Sequence, residues 1–207
     1  MRRITYILTA FAGLASACNS PDGKTDLSST FWVLPEPDIR ERLDYQRMMI
    51  DTFFNQNKDK LLVYAKPVGE EESKQITDGR IPKNVEVAFN VLKNDSGKIV
   101  TASEFPFSKS GDWKVILTHY FDKDGKTFIF ERQTNFFNST CTDGVAYETR
   151  TEFYDGEFQL IDKKYKLVDE KNKALHKDSC QFPYNKNYKV SADIDKYLLT
   201  NGIKNSN

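Results

Sequence analysis

The residues able to do chemistry are few. Two histidines are present, His119 and His176, and three cysteines, Cys18, Cys141 and Cys180. A zinc centre draws on about four ligands at motif spacing, and neither Cys-x-x-Cys nor His-Glu-x-x-His occurs, so no metal and no cofactor is expected. In "YFDKDGKTFIFE", Asp122, Asp124, Gly125 and Glu131 match four positions of a calcium-binding loop, but Tyr120 holds the first ligand position and the flanks alternate like strands. The stretch therefore reads as a hairpin turn. His119, between Thr118 and Tyr120, is the one candidate general base, and a lone histidine in a strand reads as structural. Nucleophile elbows, phosphate-cradling loops and dinucleotide fingerprints are missing. Thirty acidic residues are scattered through the chain without singling out a catalytic pair.

The cysteines carry more information. Arg2 and Arg3 precede "ITYILTAFAGLASA", an uncharged stretch too short to span a bilayer, which needs roughly 20 apolar residues. It ends in the small residues of "ASA", the pattern of a signal-peptidase site. Residues 1–17 are thus expected to be a signal peptide and Cys18 the mature amino terminus. The segment resembles the lipobox of bacterial lipoproteins through Ser16, Ala17 and Cys18, with Leu14 one residue further from the cysteine than that pattern has it and Ala15 in its place. The resemblance implies acylation of Cys18 and an address in the cell envelope, held to the membrane by lipid. Asn19 does not resemble the Asp that retains some lipoproteins at the inner membrane, which favours the outer one. Cleavage at "ASA" without acylation, giving a soluble periplasmic or secreted protein, is the alternative. An odd cysteine in an exported chain needs a role. If Cys141 pairs with Cys180 in a structural disulfide, lipid accounts for Cys18.

The elements that must hold these residues follow from pattern. Residues 18–30, "CNSPDGKTDLSST", have the composition of a tether, whose last twelve residues reach about 20 Å as a flexible chain. A helix is expected over "DIRERLDYQRMMIDTFFNQN", with Asp38 and Glu41 at capping-box spacing and Met48 and Met49 filling core. Strand signals then follow, beginning at "LLVYAKPV". After the polar excursion "GEEESKQITDGRIPKN" come runs joined by "NDSG", "DKDG" and Asp155-Gly156, where glycine supplies the positive φ of a hairpin turn. "GDW" at 111–113 resembles the Gly-x-Trp of lipocalins, but too few strands follow to close an eight-stranded barrel, so Trp113 is expected to open a core strand. Asn94 and Asn138 match glycosylation sequons and read as turn residues. A short final helix is expected in "SADIDKYLLTNG", capped by Ser191 and ended by Gly202.

Lys plus Arg and Asp plus Glu number 30 each, and this balance argues against a nucleic-acid partner. Aromatics make up 13%, an enrichment that favours sheet. The expectation is an α+β fold over 31–207, an antiparallel meander of about seven strands packed with an amino-terminal and a short carboxy-terminal helix. The expected function is that of a lipid-anchored bacterial envelope protein serving as a non-catalytic binding or assembly module, with an envelope protein as a possible partner. An inhibitor or immunity-type protein and a small hydrolase are the alternatives.

Overall fold

A computed structural model describes residues 38–182 and 187–204. The signal segment, Cys18 and the tether lie outside the described residues. Helix α1 spans Ile39–Gln56, and eight strands follow: β1 Leu61–Pro67, β2 Lys74–Gln75, β3 Val85–Lys93, β4 Ile99–Pro106, β5 Trp113–Phe121, β6 Thr127–Phe136, β7 Ala146–Tyr154 and β8 Leu160–Val168. Helix α2, Ile194–Thr200, comes last. All strand pairs are antiparallel, in the order β2-β1-β3-β4-β5-β6-β7-β8. The α+β meander is as expected, with eight strands instead of seven.

The extra strand is β2, inside the segment expected to be a solvated excursion. Lys74 and Gln75 pair with Ala65 and Tyr64. Ser73 is buried, its hydroxyl donating to the Asn201 carbonyl at 2.7 Å and its N–H to that of Gly202 at 2.9 Å. The chain end after α2 thus pins the excursion. Gly202 has φ +63°, and a Cβ there would meet the Glu71 carbonyl oxygen at 2.1 Å. Only glycine fits this approach.

The hairpin turns share one design. Asn94, Asp122, Asp155 and Asp169 each accept, through one side-chain oxygen, the N–H groups two and four residues on. Each turn places its positive φ three residues after that polar side chain, at Gly97, Gly125, Phe158 and Asn172. The expectation at Asp155-Gly156 is therefore corrected, since the left-handed residue is Phe158, whose ring stacks on Tyr154 at 4.5 Å.

Register assigns the two faces of the sheet. One face carries Tyr64, Phe89, Val91, Ala102 and Phe121, packed against Tyr197 and Leu198 of α2. On the other face Leu43 and Ile50 of α1 pack on Tyr120, Ile129 and Phe153. Asp38 caps α1 through Arg40 N–H at 2.9 Å. No residue of α1 is fully buried, and Met48 and Met49 are 51% and 50% exposed. Their expected core role is corrected: polar Arg47 and Asp51 occupy sheet-facing positions, so the helix sits off the sheet and turns its methionines to solvent. The cap of α2 is also corrected, from Ser191 to Asp193, which accepts from Lys196 N–H at 2.9 Å.

Candidate functional site

Cys141 and Cys180 form a disulfide with an S–S distance of 2.05 Å and α-carbons 4.7 Å apart. Both pack with Phe136, Ala146, Leu167 and Phe182. The pairing fixes the segment after β8 over the β6–β7 connection, and this apolar setting suits a structural bridge.

His119 and Tyr120 do not share a site, because successive strand residues face opposite ways. The His119 ring is 1% exposed among Phe121, Phe130 and Tyr197, and its Nε2 accepts from Ser191 N–H at 3.1 Å. Burial lowers its pKa to about 3, so it is neutral at ordinary pH. Tyr120 faces α1 and donates to Asp51 at 2.9 Å, and burial raises its pKa well above the usual phenol value. His176 lies exposed, on the approach to Cys180.

Asp122 and Asp124 sit in the β5–β6 turn, where backbone N–H groups occupy Asp122 and Lys123 pairs with Asp124 at 2.7 Å. Glu131 points elsewhere, beneath α1, and accepts from Arg47 at 3.0 Å, Gln133 at 2.6 Å and Thr151 at 3.3 Å. These residues do not converge on a common ligand. No group of three or more potential metal ligands gathers among the described residues. Asn94 and Asn138 both lie in turns.

The convergent chemistry is on the α2 side of β6, β7 and β8. Arg132 and Arg150 stand directly opposite each other, and Tyr165 lies opposite Arg150. Arg132 is 2% exposed; its Nε donates to Thr134 at 3.2 Å and its guanidinium lies 5.1 Å from the Tyr188 ring centre. The described residues offer its terminal nitrogens no hydrogen bond or ion pair. Glu148, 1% exposed, accepts from Arg150 at 2.7 Å through one oxygen and leaves the other without a partner. Arg150 Nε is likewise buried without a partner. Glu152 pairs with Lys163 at 3.0 Å and accepts from the Tyr154 hydroxyl at 2.6 Å.

Above this layer lies a cleft of about 320 Å³ between Tyr165 and Tyr188, walled by Arg150, Glu152, Lys163 and Lys177. The cations use the rings: Arg150 lies 5.7 Å and Lys177 5.4 Å from the Tyr165 centre. Burial, helped by the Glu148 carboxylate, pushes the Tyr165 pKa up to about 12, and burial with the Glu152 contact raises that of Tyr154. Both hydroxyls therefore hold their protons firmly. The cleft can present cations, carboxylates and aromatic faces to a small molecule.

None of these residues stands out by motif. A signal does exist in alternation: Phe130, Arg132, Thr134 and Phe136 share one face, as do Ala146, Glu148, Arg150, Glu152 and Tyr154. Charged residues stand there at the parity of buried apolar ones, the informative kind of exception. Tyr188 arrives from a distant irregular segment and has no such signature. A comparison with protein-family models finds no matching family, and searches of curated proteins and of solved structures return no match.

Proposed function

We propose that the chain is a lipid-anchored bacterial envelope protein whose folded body binds a small ligand in the Tyr165–Tyr188 cleft and catalyses nothing. The carrying observation is buried Arg132 and Glu148 with half-buried Arg150, a set that leaves Arg150 Nε and one Glu148 oxygen without partners beneath an open cleft. Buried polar groups in folded proteins are almost always satisfied, and a bound molecule with its waters is a direct way to satisfy these. Binding is favoured over hydrolysis because both carboxylates are held by cations and the tyrosines keep their protons. A general acid or base must cycle a proton. A thermal-shift screen of small metabolites tests the reading: stabilising compounds should exist and lose their effect in Tyr188→Ala. A screen without Tyr188-dependent hits contradicts it.

The address rests on the signal segment and on the cysteine count, which the Cys141–Cys180 bridge leaves with Cys18 as the odd residue. Cys18→Ser should move the protein from the detergent phase to the soluble periplasmic or secreted fraction. Unchanged partitioning would falsify lipid attachment at Cys18.

A further inference from the structure

Like charges directly opposite on neighbouring strands destabilise a sheet, and a buried guanidinium without hydrogen bonds is costly. Arg132 and Arg150 stand opposite each other and both are short of hydrogen bonds: buried Arg132 keeps only the bond from its Nε to Thr134, and half-buried Arg150 bonds Glu148 but leaves its Nε without a partner. Around the cleft Arg132, Arg150, Lys163 and Lys177 outnumber Glu148 and Glu152 by two charges, while Lys164, also on its wall, is taken up by Asp44. The buried atoms left without a partner have opposite demands: Arg150 Nε needs an acceptor, and the second Glu148 oxygen needs a donor. Two tyrosine rings flank the opening.

Resting on the reading of this cleft as a binding site, we propose that its ligand is an acidic monosaccharide, a sugar ring bearing one carboxylate. The carboxylate meets the surplus cations and is matched by the planar fork of a guanidinium. Ring hydroxyls donate to the Glu148 and Glu152 side, and the C–H face of the sugar lies on a tyrosine ring. A bare inorganic anion leaves Glu148 unanswered and the rings unused. A neutral sugar leaves the surplus charge unanswered. The volume of about 320 Å³ suits one sugar unit, at the lower end of the usual range for ligand pockets.

Calorimetry and thermal shift on the full chain at neutral pH, with D-glucuronate, D-galacturonate, D-glucose and sodium sulfate as probes, test this. At least one uronate should bind and raise Tm, with glucose and sulfate at least about tenfold weaker. Lys177→Gln, at an exposed position, should weaken uronate binding about tenfold and leave glucose unaffected. Tyr188→Ala should weaken it with circular dichroism unchanged. Equal binding of uronate and glucose, sulfate matching the uronates, or indifference to Lys177→Gln overturns the proposal. If neither uronate binds while neutral metabolites give Tyr188-dependent shifts, the ligand class fails and the binding reading stands; if nothing depends on Tyr188, both fail.

Discussion

At the scale of single residues, burial decides which groups titrate. His119 has a pKa near 3 in the fold against an ordinary 6.5, so between these pH values the unfolded chain takes up a proton that the fold refuses. Its contribution to stability is complete above about pH 6.5 and is lost as pH falls towards 3, by on the order of 5 kcal/mol. His119→Gln keeps an acceptor for Ser191 N–H but cannot take up the proton. Its melting temperature should therefore fall less than the wild type's between pH 7 and 4.5, and parallel curves would contradict the assignment. The turns give a second case. Asp122 accepts two N–H groups, so Asp122→Ala should cost about 1–2 kcal/mol in urea unfolding. Gly125→Ala, at φ +78°, should cost a similar 1–2 kcal/mol. Equal stability of both variants with the wild type would remove the turn account.

At the scale of elements, α1 is fastened as much by charge as by apolar contact. Arg47 bonds Glu131, which is 5% exposed, while Arg40 and Lys164 pair with Asp162 and Asp44 at the rim. Arg47→Met leaves the Glu131 carboxylate buried with only Gln133 and Thr151, and should cost roughly 1–3 kcal/mol. Adding Glu131→Gln should recover part of that loss, and strictly additive effects would show the pair to be uncoupled. This docking explains what the sequence hid: the helical period at Leu43, Ile50 and Phe54 is plain, but that Arg47 faces the sheet and Met48 faces water depends on a carboxylate 84 residues away. The hairpins were legible because each turn is local. Strand β2 was not, since its partners are β1 and a chain end more than 120 residues distant. The left-handed Phe158 was hidden by the neighbouring Gly156, which drew the turn register onto itself. Beneath and beside the cleft, strand parity exposes Arg132, Glu148 and Arg150, whereas Tyr188 reaches them only through tertiary packing.

At the scale of the whole molecule, the proposal joins an amino-terminal lipid to a bridged sheet that offers a ligand cleft on one face. The Cys141–Cys180 bridge closes a sequence separation of 39, for which the chain-entropy model gives about 4 kcal/mol. Reduction should accordingly lower the melting temperature by well over a few degrees. Such bridges belong to oxidising compartments outside the cytosol, which agrees with an exported protein. The most direct measurement is the intact mass of the chain isolated from the bacterial envelope, after alkylation without reduction. The account predicts a polypeptide beginning at Cys18, heavier than its sequence by acyl groups, with Cys141 and Cys180 protected. A chain of plain peptide mass, with an alkylated Cys18 or with an uncleaved signal segment, would contradict it.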